Sequence, residues 1–107
     1  MERVILGKRY NTDKAARLIT WDSREFTYSE TLCIKRTGEL FLHKTGDAYS
    51  CMASIDHRSG RIVESEDVMP VDDAWARHWL LTRFESELDL VDHDNAEILL
   101  KLAKGVR

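Results

Sequence analysis

Residues 28–46, YSETLCIKRTGELFLHKTG, decide the fold because they predict a β-hairpin and its register. Two β-compatible runs, 31–35 and 39–44, stand on either side of a short polar segment. Leu32 and Ile34 in the first run, and Leu40 and Leu42 in the second, recur at every second position and so share one face. This spacing predicts two antiparallel strands that each turn one apolar face toward a core. The other face is half polar, so a helix or a partner could cover part of it; it carries Thr31, Cys33, Phe41 and His43.

The turn between these strands has two plausible lengths. A two-residue turn would set Ile34 across from Phe41. A three-residue loop, 36–38, would set Ile34 across from Leu40 and keep the apolar side chains on one face. We therefore predict the three-residue loop, with Gly38 in the left-handed conformation that closes a type I turn with a bulge.

Upstream of the hairpin, residues 11–19 have the features of a short helix. Asn11 or Thr12 can cap it by accepting a hydrogen bond from a backbone N–H, and Asp13 suits the positive end of the helix dipole. Apolar residues then recur at helical spacing, at Ala15, Leu18 and Ile19. We predict an N-terminal helix of about nine residues, which is stable only if it packs on the sheet.

Downstream of the hairpin, the pattern predicts two more strands, at 48–55 and 61–69, and then two helices. Asp72 can cap the first helix, and Asp94 can begin the second through a capping box. The predicted fold is thus a single α+β domain over residues 1–107. It has a short N-terminal helix, an antiparallel sheet of three to four strands built on the hairpin, and two C-terminal helices.

Charge is distributed unevenly along the chain. The formal net charge is −3, but residues 1–63 carry +3 and residues 64–107 carry −6. A local field of one sign can steer a partner of the opposite sign, so we predict an acidic protein-binding surface. Its candidate residues are Glu64, Glu66, Asp67, Asp72, Asp73, Glu85, Glu87 and Asp89. The alternative is an acidic surface that only keeps the protein solvated.

A second functional hypothesis is nucleic-acid binding through basic residues of the N-terminal half. The candidate residues are Arg9, Lys14, Arg17 and Arg36. Tyr10, Trp21 and Tyr28 lie among them and could stack on bases. Against this hypothesis, the isoelectric point of about 5.8 is far from the strongly basic value typical of nucleic-acid-binding domains.

The last predicted helix has an apolar arc wider than one docked face requires. Either two elements of the same chain cover it, or part of it binds a second copy of the protein. The homodimer hypothesis uses Ile98, Leu99, Leu102 and Val106 as the contact residues.

The sequence contains no pattern that predicts catalysis, a cofactor or a metal. Neither a Gly-rich phosphate-binding motif nor a serine or cysteine nucleophile motif occurs. Four zinc-type residues, Cys33, His43, Cys51 and His57, have spacings of 10, 8 and 6, which match no standard zinc site. No apolar run of about 18 residues predicts a membrane span, and the N-terminal apolar run is too short for a signal peptide. We predict a non-enzymatic protein of the cytoplasm.

The chain resembles a family of small uncharacterised proteins encoded by phages and other mobile elements of bacteria. The shared pattern covers about residues 10–80: a short helix ending in Trp21, then Glu30-Thr31-Leu32, then Lys35 to His43, then Pro70 and a helix containing Trp79. The family often has a Gly-Gly segment after the histidine, where this chain has a single Gly46. Small proteins of this context include anti-CRISPR and other anti-defence inhibitors. The resemblance implies an inhibitor or adaptor that binds a host or defence protein, and the acidic residues are its expected contact surface.

Overall fold

The computed structural model describes residues 1–23, 28–46, 54–55, 62–63, 65–84 and 94–107. Within these ranges the strands are β1 (Glu2–Ile5), β2 (Lys8–Asn11), β3 (Ala16–Ser23), β4 (Tyr28–Ile34), β5 (Leu40–Gly46), β6 (Ser54–Ile55), β7 (Ile62–Val63) and β8 (Ser65–Val71). The helices are α1 (Asp73–Arg83) and α2 (Ala96–Lys104). A four-stranded sheet has the order β3-β4-β5-β8, while β1-β2 and β6-β7 form separate two-stranded ladders. All of these ladders are antiparallel, so the fold is α+β.

The predicted hairpin and its register are confirmed. Ile34 lies across from Leu40, in β4 and β5 respectively. The Lys35 N–H donates to the Glu39 carbonyl at 2.8 Å, which closes the three-residue loop. Gly38 has φ +92°, a conformation that glycine adopts without a steric penalty. Local turn chemistry and apolar alternation therefore agree in this segment.

The predicted N-terminal helix is wrong, because residues 8–11 form β2 and residues 16–23 form an edge strand of the sheet. The Asn11 side chain accepts from the Asp13 N–H at 2.9 Å within a turn, not at a helix start. The apparent helical spacing comes from a register shift between Arg17 and Ile19, which buries two successive residues. A bulge has this effect because it inserts one extra residue into the strand.

The predicted third and fourth strands are also placed differently. Of residues 48–55 the structure describes only Ser54–Ile55, which pairs with Ile62–Val63 outside the main sheet. The fourth strand of the sheet is Ser65–Val71, and it continues through Pro70. A proline is tolerated there because β8 is the edge strand of that sheet and, among the described residues, pairs with a neighbour on one side only.

Both C-terminal helices occur, but only the first begins as predicted. Asp72 caps α1 by accepting from the Trp75 N–H at 2.7 Å. The N-cap position of the last helix is Asn95 rather than Asp94, and no side chain makes a capping hydrogen bond there. The predicted capping box is therefore wrong. The Asn95 amide instead donates to the carbonyls of Arg17 and Leu18 at 3.2 and 3.1 Å. The start of α2 is therefore attached to the bulge in β3.

The sheet has a buried layer on each side. On one side, α1 and α2 cover an aliphatic core whose central residues are Leu32, Leu42, Leu80, Leu99 and Leu102. On the other side, a smaller cluster contains Tyr10, Cys33, Phe41 and Val68, and partly buried Met1 and Ile5 pack against it. The second layer exists because the ribbon formed by β1 and β2 lies over this face.

A buried carboxylate joins the sheet to α1. Glu30 is only 4% exposed, and its Oε1 accepts from Trp79 Nε1 at 3.2 Å and from Arg83 Nε at 2.9 Å. The Arg83 guanidinium also lies 4.4 Å from the Trp21 ring centroid. Desolvation of a carboxylate is unfavourable unless it is paired, so this contact fixes where α1 sits on the sheet.

Candidate functional site

A groove of about 610 Å³ lies on the ribbon side of the sheet. It is bounded by β1 and β2, by the turn that follows β2 and by the loop between β4 and β5. Its charged lining residues are Arg9, Lys14, Lys35, Arg36 and Glu2. The groove thus contains four cationic side chains and one carboxylate.

Three separate segments bring these cations together. Arg9 is on β2, across from Val4 of β1. Lys14 follows in a turn in which its N–H donates to the Asn11 carbonyl at 3.3 Å. Arg36 is the first residue of the hairpin loop. They converge because the ribbon folds back across the sheet toward the loop end of the hairpin.

The groove keeps most of its positive charge. Arg9, Lys14 and Arg36 form no ion pair with any residue in the described part of the chain. Lys35 is partly neutralised, since its Nζ lies 3.7 Å from Glu39 Oε2 and 4.7 Å from the centre of the Tyr10 ring. A concave surface with unpaired cations concentrates positive potential and attracts anions.

Three of the four residues predicted to bind nucleic acid therefore share this groove, and the fourth does not line it. Arg17 is exposed on β3, across from Cys33. It lies on the same face of the sheet as the ribbon. Lys35, the neighbour of Arg36 in the hairpin, also lines the groove.

The aromatic residues predicted to stack on bases make contacts within the fold, although Trp21 and Tyr28 are only half-buried. Tyr10 is 5% exposed and packs edge-to-face on Phe41 with the ring centres 5.6 Å apart. Trp21 contacts Tyr28 edge-to-face at 5.7 Å and receives the Arg83 guanidinium on its ring. The groove is therefore suited to the charged backbone of a ligand more than to stacked bases.

The acidic candidates split into two groups. Glu64, Glu85, Glu87 and Asp89 lie outside the described residues. The other four have partners within the chain, beginning with Asp72 at the start of α1. Glu66 Oε1 lies 2.6 Å from His43 Nε2, and Asp67 pairs with Arg3. Glu66 and Asp67 are consecutive on β8, and each carboxylate has its own basic partner.

Asp73 contributes to a contact between α1, the C-terminal segment and the hairpin loop. Both of its carboxylate oxygens accept from Arg107, at 3.0 and 2.9 Å, and Arg107 also donates to the Gly38 carbonyl at 2.6 Å. A planar guanidinium can satisfy several acceptors in this way. The four described acids thus have local structural roles, and they do not form one free acidic surface.

The candidate dimer residues are mostly internal. Leu99 is fully buried and Leu102 is 1% exposed, both in the core beneath α1 and α2. Ile98 packs against the same core, whereas Val106 is 68% exposed. The wide apolar arc of the last helix is therefore covered largely by the sheet and α1, as the single-chain alternative expects. The homodimer stays a prediction that would rest on Val106 and the exposed part of Ile98.

Metal binding finds no support in the described ranges, where no three His, Cys, Asp or Glu side chains form a group that could hold an ion. Of the zinc-type residues, Cys51 and His57 lie outside those ranges. Burial raises the pKa of the Cys33 thiol to about 11, and nearby Arg17 opposes this shift only in part. A thiol that stays protonated is a poor nucleophile and a poor ligand.

Cys33 should consequently resist iodoacetamide at pH 8 in the native protein and react once the protein is unfolded. Peptide mapping by mass spectrometry separates Cys33 from Cys51. Because its pKa is raised from 9.0 to about 11 on folding, the buried thiol favours the folded state below pH 9, and this contribution is lost as the pH rises through 11. Rapid native labelling of Cys33 at pH 8 would contradict its burial.

Comparisons of the chain with protein-family models, curated proteins and solved structures give no match. The resemblance to a phage-encoded family thus stays a prediction. Among the residues that the structure describes, no helix is long and apolar enough to cross a membrane.

Proposed function

We propose that the protein binds the phosphodiester backbone of nucleic acid through the basic groove. The observation that supports this most directly is the convergence of Arg9, Lys14 and Arg36, which are distant in sequence and have no ion-pair partner among the described residues. Guanidinium groups suit phosphate because they can donate two parallel hydrogen bonds to it. Neutralisation of phosphates by such cations releases condensed counterions and favours binding.

The groove favours a non-enzymatic binding role with little base specificity. Contacts to phosphates position a protein on nucleic acid but carry no direct sequence information. The aromatic side chains that could read or stack on bases are engaged within the fold. We infer a small nucleic-acid-binding protein that acts in the cytoplasm of a bacterial host.

The decisive experiment compares two variants that each lose two positive charges. R9Q/R36Q changes the groove, and K101Q/K104Q changes α2 as the matched control. Affinity is measured by fluorescence anisotropy over a range of salt concentrations, with a labelled duplex of about 20 base pairs and a single strand of the same length. We expect R9Q/R36Q to bind at least about tenfold more weakly at low salt and to reduce the slope of log K against log salt by about 2.

The control variant should keep the affinity and the salt slope of the wild type. If wild-type protein binds neither probe at low salt, the proposed function is wrong. Equal losses in the two variants would show a dependence on net charge alone and would also contradict a role for the groove. The two probes distinguish duplex from single-strand binding.

The acidic-surface hypothesis, in which the protein is an inhibitor or adaptor of a host or defence protein, has less support. Glu66, Asp67 and Asp73 are paired with basic side chains of the same chain. Their carboxylates are still 45–48% exposed, so a basic partner would have to compete with these internal contacts. Competition of this kind reduces the gain from charge complementarity.

A further inference from the structure

The turn at the tip of the β1–β2 ribbon contains an exposed leucine, a residue type that this kind of turn does not favour. Leu6 is 98% exposed and has φ +51°, and Gly7 follows with φ +78°. A two-residue turn with two positive φ values is typical of tight hairpins and favours Asn-Gly or Gly-Gly. A leucine in this conformation is strained because its Cβ crowds the backbone. The chain thus holds an apolar side chain in water, in an unfavourable conformation, at the end of a ribbon.

The residues around Leu6 indicate the chemical class of ligand that this side chain could contact. Val4, on the same ribbon, is 61% exposed and lies across from Arg9. Lys8 follows the turn, and its side chain is 60% exposed although its Nζ lies 3.5 Å from Glu39 Oε2. Arg9 also lines the basic groove, so the exposed apolar side chains Val4 and Leu6 of the ribbon lie beside a cation of that groove. A ligand for this surface has an anionic exterior and an apolar interior that a side chain can enter.

We propose that the ribbon lies in a groove of duplex nucleic acid and that Leu6 wedges between adjacent base pairs. This inference rests on the proposed function and names duplex as the form that is bound. A two-stranded ribbon fits a duplex groove, and apolar wedges of this kind unstack one base step and bend the helix. The phosphates on either side of the opened step would contact Arg9 and the other groove cations.

The wedge predicts a preference among duplexes. Opening a stacked step is unfavourable, and it is easier where the stack is already weak. A duplex with a central mismatch should therefore bind more tightly than a fully paired duplex of the same length. Binding through phosphates alone, on a duplex that stays undistorted, does not produce this difference.

The test uses L6N, with L81N as the matched control, because Leu81 is 52% exposed on α1. Asparagine tolerates positive φ, so L6N should unfold at the same temperature as the wild type or higher. Duplex affinity should nevertheless fall about tenfold, because a buried leucine side chain is lost from the complex. A duplex with 2-aminopurine at the mismatch should brighten with the wild type and with L81N, but not with L6N.

The outcomes separate the wedge from the proposed function. If L6N binds duplex as tightly as the wild type while R9Q/R36Q binds weakly, the wedge is wrong and the groove remains supported. A wild type that leaves 2-aminopurine dark on a duplex it binds also overturns the wedge. If the wild type binds neither the duplex nor the single strand, both the proposed function and the wedge are wrong. Binding to anionic lipid vesicles that needs Leu6, without brightening of the duplex, would assign the tip to a membrane surface and overturn the wedge.

Discussion

Replacing Arg83 with methionine should lower the free energy of unfolding by about 3 kcal/mol, because it leaves a buried carboxylate without its cation. Glu30 is 4% exposed and Arg83 Nε lies 2.9 Å from its Oε1. After the substitution, the Trp79 indole N–H is the side-chain donor that remains to Glu30 among the described contacts. Arg83 is itself 34% exposed, which places the expected loss at the lower end of the range for buried pairs.

A second substitution tests whether the loss comes from the charge. In the double variant E30Q/R83M, the amide of residue 30 has no charge to bury, and its carbonyl can still accept from Trp79. We expect it to recover about half or more of the stability lost in R83M. Urea unfolding followed by tryptophan fluorescence gives both values.

The matched control is R36M, which removes an arginine that has no ion pair in the described part of the chain. Its effect on stability should stay within about 0.5 kcal/mol. An R83M protein as stable as R36M would show that solvent, and not Arg83, compensates the charge of Glu30.

The hairpin could be predicted from sequence because every signal for it is local. The aliphatic residues of one face recur with period two, and the loop contains the one glycine that its positive φ requires. Asp72 was predictable for the same reason, since a cap is a contact over three residues. Such features depend little on what the rest of the chain does.

The prediction of an N-terminal helix was wrong because the bulge in β3 places apolar residues at spacings that are also typical of a helix. Leu18 and Ile19 are adjacent in sequence and both are buried in the core on the helix side of the sheet, which a regular strand does not allow because its successive side chains point to opposite faces. The β-branched and aromatic run that follows, ITW at 19–21, favours a strand. The strand order of the main sheet could not be predicted either, because β5 and β8 are far apart in sequence and no short sequence pattern specifies their pairing.

The residues of the candidate site could be predicted from the sequence, but their convergence in one groove could not. Arg9, Lys14 and Arg36 stand out as basic residues in the N-terminal half, yet only the fold of the ribbon over the sheet brings them into one groove. Leu6 does not stand out in the sequence because it ends the short apolar run VIL at 4–6. The signal that could have found it is Gly7, which marks a tight turn directly after the leucine.

The substitution L99A should lower the free energy of unfolding by about 3 to 4 kcal/mol, because it opens a cavity in the larger core. Leu99 is fully buried among residues of the sheet, α1 and α2 within one chain. The control V106A removes methyl groups from a residue that is 68% exposed, and its effect should stay below about 0.5 kcal/mol. Chemical unfolding of the three proteins provides the comparison.

The same pair of variants decides between the two explanations of the apolar last helix. If α2 is covered within one chain, the loss in L99A is the same at every protein concentration, and light scattering gives the monomer mass for the wild type and V106A. If α2 also binds a second copy, the wild-type unfolding midpoint rises with concentration, because association stabilises the folded state by mass action. V106A would then abolish that rise while leaving the fully buried Leu99 in place. The burial of Leu99 and Leu102 favours the first result, since a dimer contact left to Val106 and part of Ile98 is too small for a stable interface.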